Sequence, residues 1–191
     1  LDSVNGSDES EKRLLRQSKL SPENFKNKTI LEVGAGNGRF TELFLKYGAR
    51  VIAVDYSSAI DANRRNHKKY VEEGRLFLVQ ADIFNLPLKE NSFDIVFCYG
   101  VIQHTGDNQK AIFELSKCAN KNGLLLIDIY STSLKHFNPL IYLVRPFFSL
   151  LKIDDQRRLE IVESFVSKVF PIQLKILSKL HRKKGILKFL R

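Results

Sequence analysis

The strongest constraint lies in residues 30–40, ILEVGAGNGRF, where an apolar run ends in three glycines at alternate positions. Ile30, Leu31 and Val33 have the composition of a buried parallel strand, and helical spacing begins after Gly38. A strand that opens into a helix through glycines lets the backbone approach a ligand that any Cβ would repel. The first N–H groups of the new helix remain free to donate to it. Tight turns and close helix–strand packing also use glycine, so this stretch alone leaves both readings open.

Spacing decides one question at once. A dinucleotide-binding fingerprint, Gly-x-Gly-x-x-Gly counted from Gly34, needs a glycine at 39, where Arg39 stands. The pattern is instead Glu32-x-Gly34-x-Gly36-x-Gly38, with Ala35 inside the turn, and it argues against nicotinamide chemistry.

The chain around the turn alternates strand-like and helix-like segments, which predicts an α/β fold with a parallel sheet. After a polar lead-in, residues 11–20 have the spacing of a short helix carrying Leu14, Leu15 and Leu20, and Ser21-Pro22 opens the next turn. Residues 39–47 form a helical pattern stopped by Gly48, and 50–54 form a second strand ending at Asp55. A carboxylate at that strand end can accept hydrogen bonds from both hydroxyls of a ribose, with Tyr56 next to it able to pack on a base; a solvated loop aspartate is the alternative. One helix is expected over 59–73 with its N-cap at Ser57-Ser58, and a third strand over 76–80. Phe93 to Cys98, FDIVFC, is apolar at nearly every position, as a central parallel strand covered on both faces should be. A helix over 108–120 and a strand over 124–129, introduced by Gly123, complete the pattern.

Taken together, the glycine turn, Asp55, the Ala81-Asp82-Ile83 exit from the third strand and the stretch FDIVFCYGVIQHT resemble the class I S-adenosylmethionine-dependent methyltransferases over about residues 28–130. The resemblance implies a doubly wound sheet of order 3-2-1-4-5 and S-adenosylmethionine as cofactor. By the same resemblance, Glu32, Gly34, Ala35, Gly36 and Gly38 hold its methionine end, with Tyr99 beside them. Asp55 and Tyr56 then serve the ribose and adenine edge, and Asp82 and Ile83 the adenine. The helix over 11–20 closes over the cofactor in such proteins, although packing on the sheet explains it equally well. His104 and Tyr130 are the residues expected to face the methyl acceptor. An imidazole there can take a proton from an attacking hydroxyl or amine, or it can simply shape the turn. Lys121-Asn122-Gly123 stands where a Pro-Gly-Gly-like turn is usual in the family.

Residues 131–191 depart most from that family. Two more strands are expected after the fifth, yet the tail shows only helical and apolar spacing, so a helical lid or insertion is expected and the final strands are not evident. It is also where the charge sits: residues 1–130 carry 18 Lys and Arg against 17 Asp and Glu, and residues 131–191 carry 13 against 4. Seven basic residues between Lys175 and Arg191, interleaved with Ile and Leu, suit contact with an anionic membrane surface or an anionic acceptor, or a lid helix with snorkelling side chains. Nucleic acid is disfavoured, because the turn after the fourth strand lacks an Asn-Pro-Pro-Tyr-like tetrapeptide.

These readings divide the chain into a lead-in (1–27), a cofactor-binding core (28–130) and a basic helical tail (131–191). Cys98 and Cys118 lack metal-ligand spacing and suggest reduced, buried thiols, so no metal site is expected. The longest apolar run, 137–151, is broken by Pro139, Arg145 and Pro146 and is shorter than the roughly 20 residues of a membrane span. A cytoplasmic location follows as an expectation, with peripheral contact at the inner face of a membrane. The absence of any methionine suggests a piece of a longer translation product. The expected activity is methyl transfer to an oxygen, nitrogen or carbon nucleophile of a small molecule such as a sugar, quinone, lipid-linked or natural-product acceptor. A non-catalytic module that keeps the fold is the competing expectation.

Overall fold

The structure is a computed structural model that describes Val4, residues 6–129 and a few positions between 157 and 168. Two compact units divide it, residues 1–130 and 131–191. Tyr130 and the expectations for the basic tail, lid and final strands lie outside the described residues.

Five strands form one parallel sheet, β1 (Thr29–Val33), β2 (Arg50–Asp55), β3 (Leu76–Gln80), β4 (Phe93–Cys98) and β5 (Ala119–Ile127), in the order β3-β2-β1-β4-β5. The doubly wound α/β expectation is met. Burial follows position: β1 and β4 are buried at nearly every residue, whereas the outer β3 alternates with exposed side chains.

Alternation along β1 divides the core. Ile30 joins the cluster made with α1 (Glu9–Ser18), α2 (Arg39–Lys46) and α3 (Ala59–Asn66), through Leu14, Phe44 and Ile60. Leu31 and Val33 face the opposite cluster, built with Ala111 and Leu115 of α5 (Asn108–Cys118). The order of strands reverses between β1 and β4, so both β1 crossovers leave a crevice at the carboxyl ends of these strands.

Two elements differ from the sequence pattern. The helix expected over 59–73 is broken at His67 into α3 and α4 (Lys68–Glu72). His67 leaves helical geometry at φ −120°, ψ 29°, where its ring turns inward to bond the Asn63 carbonyl and side chain while its own N–H keeps the helical bond to the Asn63 carbonyl. The fifth strand begins at Ala119, directly after α5, instead of after Gly123. Its register slips between the pairs Phe93–Ala119 and Ile95–Leu124, so the Lys121-Asn122-Gly123 turn becomes a bulge inside the strand. A Cβ on Gly123 would stand 2.8 Å from the Phe93 carbonyl oxygen, which leaves glycine the only comfortable residue there.

Candidate functional site

The glycine turn is tied down from below. Gly34 and Ala35 N–H both donate to the Val54 carbonyl, at 2.8 and 3.0 Å, which folds the chain over the end of β2. Gly34 has φ +79°, and a Cβ on it would overlap the Val101 side chain, so the loop after β4 packs directly on this turn. Gly38 has φ +96°, and its Cβ would stand 2.5 Å from both Asn63 Oδ1 and His67 Cε1. Gly36, at φ +53°, differs because a Cβ there would meet nothing within 4 Å. Two glycines are therefore demanded by packing, and the middle one borders open space.

Asp55 completes the rim. Its Oδ2 accepts from Gly36 N–H at 2.7 Å, and its Oδ1 from Ser57 N–H and Oγ–H at 2.8 and 2.7 Å. Ser57 thus serves both the aspartate and the helix that follows, since its Oγ also accepts from Ala59 N–H at 3.3 Å; the N-cap of α3 is Ser58, without a side-chain cap bond. The aspartate holds the turn and still has acceptor capacity on Oδ2.

Beside it opens a cleft of about 330 Å³ whose walls include Gly34, Asp55, Tyr56, Asp82, Ile83 and His104. Six residues expected from the sequence to form the site are brought together here. Tyr56 is 77% exposed at the mouth, and Ile83 is buried. Asp82 Oδ1 accepts from Phe84 N–H at 2.9 Å, fixing the loop after β3 and leaving Oδ2 available. His104 lies on the short 3-10 turn Ile102–His104 and lines the same cleft as Asp82 and Ile83.

The remaining expected residues sit elsewhere. Ala35 is buried within the turn, and Gly36 and Gly38 do not line the cleft. Tyr99 packs its ring on Phe97 (4.2 Å between centroids) and edge-on to Phe40 (5.9 Å), with the Arg13 guanidinium 5.7 Å from its centroid. Burial, with the Asp128 charge in second place, pushes its phenol up from the usual range.

Glu32 lies behind the turn, 2% exposed, and accepts from Thr41 Oγ–H at 2.5 Å. Asn63 Nδ2 donates to Thr41 Oγ at 3.0 Å, and Asn63 Oδ1 accepts from His67 Nδ1–H at 2.9 Å. The amide nitrogen can only donate and the amide oxygen only accept, which sets the direction of the whole chain from His67 to Glu32. Burial pushes the Glu32 carboxyl up to about 8, against the opposing pull of the Thr41 bonds and with a smaller push from Asp55.

Sequence reasoning missed three groups. Val33, Phe84, Val101 and Thr105 are walls that only the fold brings together. Thr41, Asn63 and His67 are helix residues whose polarity at buried positions was a readable signal. Arg13 and Asp128 pair across the sheet, a relationship no local pattern contains.

A larger cavity of about 670 Å³ opens at the amino ends of the strands, beside Lys28, Asp94 and Asn120. The Asp94 carboxylate there is committed to Thr29 N–H and Asn120 Nδ2. Ligands of open parallel sheets bind at the carboxyl ends, where the smaller cleft lies.

A doubly wound parallel sheet with a glycine turn, a strand-end aspartate that keeps a free acceptor site and a cleft of about 330 Å³ beside them has the form of a nucleotide-type cofactor fold. The family model described as a methyltransferase domain matches residues 31–127, and the chain belongs to that family, the class I S-adenosylmethionine-dependent methyltransferases. It is 32% identical over 99 residues to a Mycobacterium tuberculosis protein named "Probable S-adenosylmethionine-dependent methyltransferase", covering 52% of this chain and 34% of that one. It is 29% identical over 119 residues to the ubiquinone biosynthesis O-methyltransferase of Coxiella burnetii, covering 62% and 49%. Among solved structures, the MccD protein matches with a TM-score of 0.56 at 22% identity over 72% of this chain and 60% of that one, a likeness of fold. The chain spans between a third and a half of the length of these two curated relatives.

Proposed function

We propose that the chain carries the cofactor site of a methyltransferase acting on a small-molecule acceptor. The observation that supports this reading most is the convergence of Gly34, Asp55, Asp82 and Ile83 on one cleft at the carboxyl ends of β1 and β2. The cleft suits S-adenosylmethionine on its own geometry: the glycine turn lines it at Gly34, where the Cβ position is taken by Val101, and the two carboxylates Asp55 and Asp82 keep free acceptor sites. The cofactor supplies an electrophilic methyl on a sulfonium sulfur.

The protein's own part is positioning. Asp55 accepts from the ribose hydroxyls while the Gly36 N–H fixes its rotamer. Asp82 accepts from the adenine amino group and Ile83 gives the ring an apolar wall. Exclusion of water and alignment of the acceptor nucleophile account for much of the rate in such transfers, and an acceptor hydroxyl that needs to lose a proton would find His104 at the rim. The acceptor is a sugar, quinone, lipid-linked or natural-product molecule; the O-methyltransferase named for ubiquinone biosynthesis among the relatives supports that breadth and an oxygen nucleophile within it. The same reading keeps the cytoplasmic location and the peripheral membrane contact of the basic tail as proposals.

The experiment is calorimetric titration with S-adenosylmethionine, S-adenosylhomocysteine and NAD, followed by a screen of phenolic, sugar and lipid acceptors for methyl incorporation. Binding of the first two and not NAD, with methyl transfer to one acceptor class, supports the proposal. A folded sample that binds neither overturns it, and binding without transfer to any acceptor favours a non-catalytic module.

A further inference from the structure

One wall of the cofactor cleft is the loop after β4, through Val101, His104 and Thr105. Val101 anchors it from one side, its side chain seated where a Cβ on Gly34 would stand. Ile102 anchors it from within, fully buried in the cluster that holds Leu31 and Val33. A further anchor is polar and comes from outside the cleft: the Gly100 N–H donates to Asp128 Oδ1, just beyond β5.

Gly100 decides what this bond controls. Its φ is +74°, and a Cβ there would meet nothing within 4 Å, so the backbone turn and not packing asks for glycine. A residue with that freedom takes its direction from the groups that hold its peptide. Asp128 is well placed to do so. Cys98 pairs with Ile127 at the end of the β4–β5 register, and Asp128 follows with its N–H 3.4 Å from the Cys98 carbonyl. The neighbouring strand thus carries the carboxylate that fixes the Gly100 amide, one residue before Val101 meets Gly34.

The other carboxylate oxygen, Oδ2, pairs with Arg13 of α1, whose guanidinium also lies 5.7 Å from the Tyr99 ring centroid. No residue of α1 lines the cleft. One line of contacts nevertheless runs from the helix to the glycine turn, through Arg13, Asp128, Gly100, Val101 and Gly34. A shift of Asp128 turns the Gly100 peptide and moves the Val101 side chain on Gly34, where close packing leaves no slack.

We propose that Asp128 is a positioning residue of the cofactor site, setting Val101 against the glycine turn through the Gly100 N–H and coupling the docking of α1 to cofactor binding through Arg13. The inference rests on the cofactor reading of the cleft and adds to it a residue outside the cleft lining. The coupling is reciprocal: whatever factor α1 undocking takes from cofactor affinity, the cofactor returns as protection of α1.

The test is calorimetric titration of the full chain with S-adenosylhomocysteine, for the parent, Asp128→Ala, Asp128→Asn and the control Asp94→Ala. Asp94 does the same kind of work at the amino ends of the strands, where its carboxylate takes Thr29 N–H and Asn120 Nδ2. Hydrogen exchange of α1 with and without the ligand runs alongside. Asp128→Ala is expected to bind about tenfold more weakly, as the loss of one charge-assisted hydrogen bond dictates. Asp128→Asn keeps an oxygen for Gly100 and should stay within about threefold of the parent. Asp94→Ala should bind as the parent does. Bound ligand should slow exchange of the α1 amides in the parent and far less in Asp128→Asn, where the charge that holds Arg13 is gone.

Unchanged affinity in Asp128→Ala overturns the inference, and so does an equal loss in Asp94→Ala, which would reduce Asp128 to a general support of the fold. Exchange of α1 that ignores the ligand in the parent also overturns it, and that measurement needs no variant to fold. A folded parent that binds no S-adenosylhomocysteine overturns the cofactor reading itself, and this inference with it.

Discussion

Arg13 and Asp128 form an ion pair that spans 115 positions of sequence and fastens α1 to the carboxyl end of the sheet just beyond β5. Asp128 also accepts from the Gly100 N–H, so one carboxylate joins the first helix and the loop after β4. The two side chains are 32% and 19% exposed, which places the pair between a surface bridge and a buried one. Arg13→Gln is expected to cost about 1 kcal/mol and to speed amide exchange in α1. Asp128→Ala should cost more, about 2–3 kcal/mol, since it also leaves the Gly100 N–H without its acceptor. Urea unfolding and hydrogen exchange of the two variants test the order, and equal costs would show that the Gly100 bond contributes nothing.

The glycines of the turn should separate by what their missing Cβ would meet. Gly38→Ala forces a methyl to 2.5 Å from Asn63 Oδ1 and His67 Cε1, both held in a buried network, at a φ that L-residues avoid. A loss of about 3 kcal/mol or more in stability is expected. Gly36→Ala carries only the backbone strain, about 1 kcal/mol, because nothing lies within 4 Å of the added methyl. Its effect should appear instead as weakened binding of S-adenosylhomocysteine. Thermal unfolding and calorimetry of both variants check the contrast; equal destabilisation would mean that the space beside Gly36 is not open.

The local patterns that were readable were those with a short-range cause. Apolar runs bounded by glycine gave all five strands their identity, and a doubly wound order followed from alternating strands and helices. Asp55 and Asp82 were legible because strand ends are where a parallel sheet offers its ligands. His67 was not, since its ring is buried against Asn63 at the point where the backbone leaves helical geometry, a matter of tertiary packing rather than of helix propensity. Glu32 illustrates the other limit. Its place in the motif was visible, but its carboxylate turns away from the cleft to Thr41, and the side to which a strand residue points depends on what packs beneath it.

Asp55 holds the glycine turn and, in the proposed function, also accepts from the ribose, and a pair of substitutions divides these two roles. Asp55→Ala removes the acceptor for Gly36 N–H and for Ser57, so the turn should loosen along with the loss of the proposed ribose contact. Asp55→Asn keeps one carbonyl oxygen that can still accept from Gly36. Both should weaken binding of S-adenosylhomocysteine by roughly 10–100-fold, the worth of one or two hydrogen bonds to a charged group. Only the alanine variant should also lower the unfolding midpoint clearly. Calorimetry with thermal unfolding decides, and unchanged affinity in both variants would remove Asp55 from the site.

The buried Glu32 carboxyl makes stability depend on pH in a direction opposite to ordinary acids. Burial disfavours the charged form and pushes the carboxyl up to about 8, from the ordinary carboxyl value of 4.5. The native state therefore holds a proton that the unfolded chain releases, and unfolding becomes easier as pH rises. The contribution is complete below about pH 4.5, declines through neutrality and is gone above 8, a span worth on the order of a few kcal/mol. His67 has the opposite sign: burial lowers its value below 6.5, so its contribution is lost as pH falls beneath that point. The window from 6.5 to 8 thus isolates the glutamate, because it ends before the thiols of Cys98 and Cys118, which burial also pushes up, begin to weigh in the same direction. Urea unfolding across it should show falling stability in the parent protein. Glu32→Gln keeps an oxygen to accept from Thr41 and carries no titrating group, so its profile should be nearly flat and should cross above the parent at the alkaline end. A parent profile as flat as the variant's would mean that Glu32 is ionised in the folded protein and that its charge is met by donors around Thr41.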